Sequence, residues 1–174
     1  MRAFSQRDKR WKDLRIGKTV LTMEHFGCLI VSLAMLNDQD PDEVLAMLNR
    51  SNAFNDKGML YSDIAAKTLG FRYRGKSKKA PKYPCVAETD HYAHLHTPSH
   101  FFIWQPNGLI IDPLDGFEKN NPYNIVSYRL FKKKPAEELP REITMQTPSY
   151  TVTTIKEPTL LERIISWLTN LIKR

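Results

Sequence analysis

The feature that most constrains this chain is an eight-residue apolar run, residues 29–36, that follows directly on Gly27-Cys28. It reads Leu-Ile-Val-Ser-Leu-Ala-Met-Leu and offers no polar side for water. As a helix it must be buried all round, so the rest of the chain has to wrap it. The break after it, residues 37–40, is polar. Pro41 then suits the first turn of a second helix, with Asp40 as its cap, Asp42 and Glu43 in the favourable first turn, and Val44, Leu45 and Leu48 on the apolar side. A third helix is expected over residues 61–69, closed by Gly70.

Beyond Gly70 the pattern turns to strands. Phe71-Arg72-Tyr73-Arg74 alternates, residues 76–82 read as a basic loop, and Pro84-Cys85-Val86-Ala87 is a short apolar strand. His100-Phe101-Phe102-Ile103-Trp104 and Leu109-Ile110-Ile111-Asp112 flank Gln105-Pro106-Asn107-Gly108, a strong hairpin signal. Residues 125–131 supply a last strand. Helices first and an antiparallel sheet second make the expected class α+β.

The outer segments read differently. Residues 1–20 are polar and basic and are expected to form an extended arm on the domain surface, anchored by Phe4, Trp11, Leu14 and Ile16. The folded domain is expected to span residues 1–132. A Pro-, Glu- and Thr-rich linker or surface strap follows over 133–158, and an amphipathic helix over 159–174. Leu160, Leu161, Ile164, Ile165, Leu168, Leu171 and Ile172 share one side of that helix. Its destinations are the domain itself, another copy or a larger assembly, or, less favoured, a membrane surface.

The chain has 174 residues, 41% hydrophobic and 26% charged, which excludes a disordered polymer. Its net charge of +7 admits acidic partners without choosing among them. Arg72, Arg74, Lys76, Lys78, Lys79 and Lys82 form the densest basic stretch, but no recognition motif accompanies them, so no specific nucleic-acid partner is expected. No apolar segment follows the first basic residues, so no signal peptide is expected. The expected location is cytoplasmic at synthesis, with incorporation into a virus particle or release by a non-secretory route left open.

Two cysteines are present, Cys28 and Cys85, both expected as free thiols, one reactive and one packed. Cys28 stands where a helix's free N–H groups and dipole favour a thiolate, and its own N–H is placed to hold an oxyanion. The plain alternative is a small buried residue. His100 heads a strand, and Asp112 closes the next. If residues 105–108 form a four-residue loop, Trp104 faces Leu109, His100 lies opposite Pro113, and Asp112 is a near neighbour of His100. A two-residue loop at Asn107-Gly108 would shift that register. A carboxylate there would orient the imidazole and stabilise its charged form, whereas a strand-end histidine and a strand-ending Asp-Pro turn are the plain alternatives. Four of the five histidines lie between His91 and His100. His91, His94 and His96, with His25 as a further candidate, match no compact metal site, so no metal or other cofactor is expected.

The segments Phe4-Ser5-Gln6-Arg7-Asp8-Lys9-Arg10-Trp11, Gly27-Cys28 with Ser32-Leu33-Ala34-Met35-Leu36, Ser99-His100-Phe101-Phe102-Ile103 and Ile111-Asp112-Pro113 resemble the papain-like cysteine peptidases of family thirty-nine. That family includes double-glycine leader peptidases. The likeness runs from about Phe4 to Phe131, and Leu29 and Ser99 stand where glycine is common in the family. It implies a papain-like fold, with the cysteine helix against the sheet. It implies Cys28 as nucleophile, His100 as base, Asp112 as its orienter and Gln6 as oxyanion donor. A lone glutamine in a polar arm is ordinarily just solvated, so the role of Gln6 rests on the resemblance alone. The expected function is peptide-bond cleavage through a thioester, with leader peptides or cell-wall peptides as substrates. The alternative is a catalytically inactive papain-like module serving a larger assembly such as a virus particle.

Overall fold

The computed structural model describes residues 1–89 and 99–135, which belong to one structural unit, Met1–Leu139. The elements run α1 (Met23–Phe26), α2 (Cys28–Asn37), α3 (Pro41–Arg50), α4 (Ser62–Thr68), β1 (Phe71–Ser77), β2 (Cys85–Thr89), β3 (His100–Trp104), β4 (Leu109–Asp112), β5 (Phe117–Asn120) and β6 (Ile125–Lys133). The fold is α+β. Its six strands form one antiparallel sheet in the order β1-β6-β2-β3-β4-β5.

The apolar run does become a helix enclosed on all sides. Residues 30–35 of α2 are buried, and the helix packs against β2 and β3 on one side and α3 on another. It ends at Asp38, whose φ of 59° is left-handed. There the Arg2 guanidinium donates to the Asp38 carbonyl at 2.5 Å, placing a cation where the helix dipole favours one. α3 begins at Pro41 as expected, but the Asp40 side chain does not cap it. The carboxylate instead takes the Arg2 guanidinium at 2.7 Å, a charged donor that outcompetes a backbone N–H. α4 spans Ser62–Thr68 and is followed by Gly70 at φ 74°.

The N-terminal arm departs from expectation. It turns on itself through bonds from the Trp11 and Lys12 N–H groups to the Asp8 carbonyl. This drives Phe4, Gln6, Trp11 and Ile16 into the interior, while Leu14, expected as an anchor, is 40% exposed. Trp11 is fully enclosed, its ring edge on Phe4 and its Nε1 donating to the Ser5 carbonyl at 2.8 Å. The arm is thus part of the core.

The sheet also refines the expected strands. Lys76 and Ser77 extend β1 rather than opening a loop, past an irregularity in the pairing that Gly75, at φ 85°, allows. β6 runs to Lys133, opposite Phe71, so the sheet extends one residue into the segment expected to be linker. The β3–β4 hairpin has a three-residue loop. Gln105 pairs with Leu109 (N to O, 2.9 Å), and Gly108 takes the left-handed position at φ 84°. Trp104 therefore faces Ile110, not Leu109. Most of the expected linker and the whole terminal helix, residues 136–174, lie outside the described residues, as do His91, His94 and His96. No described helix is long and apolar enough to cross a membrane.

Candidate active site

α1 runs almost directly into α2, and Gly27 is the break between them. Its φ of −81° suits any residue. What demands glycine is space, because a Cβ there would lie 2.4 Å from the Met23 carbonyl oxygen. The close approach fixes where Cys28 begins α2. Its thiol is partly exposed, and its N–H is one of the first-turn donors that a helix leaves without an internal partner.

The Glu24 carbonyl would accept the Cys28 N–H if the two helices were continuous. It accepts the Gln6 Nε2 instead, at 2.5 Å. The Gln6 amide is therefore held beside the start of α2, wholly buried. Its backbone N–H donates to the Pro113 carbonyl at 2.6 Å, and the neighbouring Ser5 hydroxyl donates to the Leu114 carbonyl at 3.0 Å. The turn that follows Asp112 thus anchors the arm that carries Gln6.

His100 opens β3. The hairpin register, continued from Ile103 opposite Ile111, makes Asp112 its diagonal neighbour on one face of the sheet. The imidazole Nε2 meets the Asp112 Oδ1 at 2.9 Å, with both side chains buried. The Cys28 thiol lies close enough to the same ring to raise its basicity. The fold therefore brings together three residues predicted from separate segments, with His100 and Asp112 hydrogen-bonded and the Cys28 thiol near the ring.

Asp112 is held from four directions. Its Oδ1 also accepts the Leu114 N–H at 3.0 Å. Its Oδ2 accepts the Tyr123 hydroxyl and lies 3.0 Å from the Lys119 Nζ. Tyr123 also packs its ring edge on His100, with centroids 5.9 Å apart, and tilts against Phe102 at 5.0 Å. Lys119 and Tyr123 escaped the sequence reading, which had no signal that would bring the β5 side of the sheet back onto Asp112.

The charges follow from these contacts. Burial by itself would favour neutral imidazole at His100. The Asp112 carboxylate and the Cys28 thiol outweigh it, and push the ring's pKa up to about 9. Burial likewise opposes the Asp112 carboxylate, but His100, Tyr123 and the Leu114 N–H hold its pKa well below the usual range. The site thus favours an imidazolium–carboxylate pair through neutral pH.

Cys85 has the opposite character. It is buried in β2, and burial pushes its thiol up to about 12, which leaves it protonated and unreactive. Among the described residues, no group of three or more His, Cys, Asp or Glu side chains could hold a metal ion. His25 there meets only the Thr22 hydroxyl, at 3.1 Å, and the tilted ring of Phe26.

The arrangement offers a thiol nucleophile, a base–acid, an orienting carboxylate and two amide donors near one helix start. Compared with known protein families, curated proteins and solved structures, the chain matches none.

Proposed function

We propose that the chain is a cysteine peptidase with a papain-like fold, akin to the family-thirty-nine enzymes, that cleaves peptide bonds through a thioester. The observation that carries this reading is the buried His100–Asp112 pair, with the Cys28 thiol at the first turn of α2 close enough to act on the imidazole. A buried imidazole between a thiol and a carboxylate has a structural cost that catalysis explains.

In this reading the Cys28 proton already rests on His100, so the cycle starts from a thiolate beside an imidazolium. The sulfur attacks the peptide carbonyl carbon, and the carbonyl oxygen takes the negative charge. The Cys28 N–H and the Gln6 amide, whose Nε2 has a second hydrogen beyond the one given to Glu24, are the donors for that oxyanion. Collapse of the intermediate expels the amine, which takes its proton from His100, and leaves the thioester. His100 then removes a proton from water, and the hydroxide attacks the thioester carbonyl. The acid product departs, and the proton taken from water stays on His100 and restores the thiolate–imidazolium pair.

Leader peptides ending in double glycine and cell-wall peptides are the substrate classes to test. Cys28→Ala should abolish cleavage of whichever is cut, with thermal stability within about 1 kcal/mol of wild type, because a partly exposed thiol carries little packing. Iodoacetamide should alkylate Cys28 rapidly at neutral pH and leave the buried Cys85 untouched. Slow alkylation of Cys28, with no cleavage of either class, would replace the peptidase with the non-catalytic module.

A further inference from the structure

The carboxylate that orients His100 is itself shared. Its Oδ1 serves His100 and the Leu114 N–H, and its Oδ2 serves Lys119 and Tyr123. Lys119 lies on β5 directly across from Ile110, which puts its side chain on the face that Asp112 also uses. Its ammonium is divided between Asp112 and Asp115, the latter at 2.6 Å, and a third of the side chain is exposed. Tyr123 is held by Asn121, whose side-chain amide accepts from the Tyr123 N–H at 2.9 Å and donates to the Tyr123 carbonyl at 3.1 Å. That clasp replaces a strand partner and aims the phenol at the carboxylate.

We propose that Lys119 and Tyr123 are positioning residues that hold the second oxygen of Asp112, so that His100 receives one fixed oxygen and only part of the carboxylate's charge. The catalytic meaning of this rests on the peptidase reading; the physical claim about Asp112 does not. The titratable and charged groups around the imidazole, among the described residues, come from several elements. Cys28 comes from α2 and Asp112 from β4. Lys119 of β5, Asp115 of the β4–β5 turn and Tyr123 after β5 act through Asp112. Glu88 of the neighbouring β2 is engaged by Lys76, Ser127 and Arg129. An ammonium 3.0 Å from the carboxylate competes with the imidazolium for the same negative charge, and the phenol withdraws more of it by hydrogen bonding. Both devices therefore restrain the rise in His100 basicity that Asp112 and Cys28 produce. Without them the imidazolium would persist to higher pH and release its proton to a leaving amine less readily.

The test is an NMR titration of the His100 ring in the full chain, its signal assigned by absence from His100→Gln. Lys119→Met keeps the side-chain stem and removes the charge, Lys119→Arg keeps the charge, and Tyr123→Phe keeps the ring and removes the donor. Lys119→Met and Tyr123→Phe should each move the His100 midpoint up by about half a pH unit or more, and Lys119→Arg should leave it near wild type. An unchanged or lowered midpoint in either neutralising variant overturns the proposal. Cys28 alkylation by iodoacetamide is followed on the same variants. If the midpoints move as stated but Cys28 proves unreactive at every pH, the peptidase reading fails and the sharing of Asp112 stands.

Discussion

At Gly27 a single hydrogen atom in place of a methyl group decides where Cys28, the proposed nucleophile, sits. The missing Cβ lets the Met23 carbonyl come within 2.4 Å of its place, and the close fold of α1 onto α2 follows. Gly27→Ala should therefore force the two helices apart. We expect a loss of about 1–3 kcal/mol in urea unfolding and a fall in the Cys28 alkylation rate, because the thiol moves away from His100. The residue scale also sets the pH range of the chemistry. In the proposed peptidase His100 must keep its proton to pair with a Cys28 thiolate, and the ring holds that proton up to about 9. Peptidase kcat/KM should fall as pH rises through that value. Asp112→Asn preserves the shape but removes the charge, so the alkaline limb should move down towards the ordinary histidine value of 6.5. A limb unmoved by Asp112→Asn would assign it to another group.

Among the elements, the β3–β4 hairpin does the most for the site. A strand shifted by one residue presents its side chains to the opposite face. The four-residue loop expected from Gln105-Pro106-Asn107-Gly108 would have placed His100 and Asp112 on opposite faces. The three-residue loop, with Gly108 left-handed, places them on the same one. The turn after β4 then does two things with one stretch of chain. It brings the Leu114 N–H back to Asp112, and it offers the Pro113 and Leu114 carbonyls to the arm that carries Gln6. Gly116 closes that turn at φ 75°, with a Cβ position only 2.9 Å from the Ser5 nitrogen. Gly116→Ala combines backbone strain with a clash against backbone. It should cost about 1–3 kcal/mol. It should also lower kcat by displacing the Gln6 amide, while Cys28 remains open to alkylation. Equal losses of both activities would mean the turn supports the whole site rather than the arm alone.

For the whole molecule, the site couples to stability because both of its charged groups are buried. The His100 ring binds its proton more tightly folded than unfolded. That stabilisation is complete below the unfolded value of 6.5 and is lost as pH rises through about 9. Asp112 works the other way. Its folded pKa lies below the usual 3.8, so its contribution is present above 3.8 and is lost as pH falls below it. Thermal melts should accordingly show the highest Tm on a plateau between about pH 4 and 6.5 and a decline towards pH 9. In Asp112→Asn the decline above 6.5 should shrink, since the folded ring then holds its proton hardly better than the unfolded one. A Tm flat from pH 6.5 to 9 in the wild type would contradict the burial and pairing of His100.

Much of this was legible in the chain. Residues 29–36 are apolar on every side, so a helix there has to be buried, and the helix does begin at Cys28. Period-two alternation and the Asn107-Gly108 turn mark the hairpin, because side-chain direction and left-handed backbone are local properties. Pro41 and Gly70 bound their helices for the same reason. Contacts between distant segments are another matter. That Asp40 would surrender its capping role to Arg2, that Gln6 would meet the Glu24 carbonyl, and that Lys119 and Tyr123 would return to Asp112 depend on how the arm and the sheet edge pack. Local sequence carries the periodicity and the turns. The partner that a buried polar group finds is chosen by competition among all the groups the fold brings near it, and only the tertiary structure holds that competition.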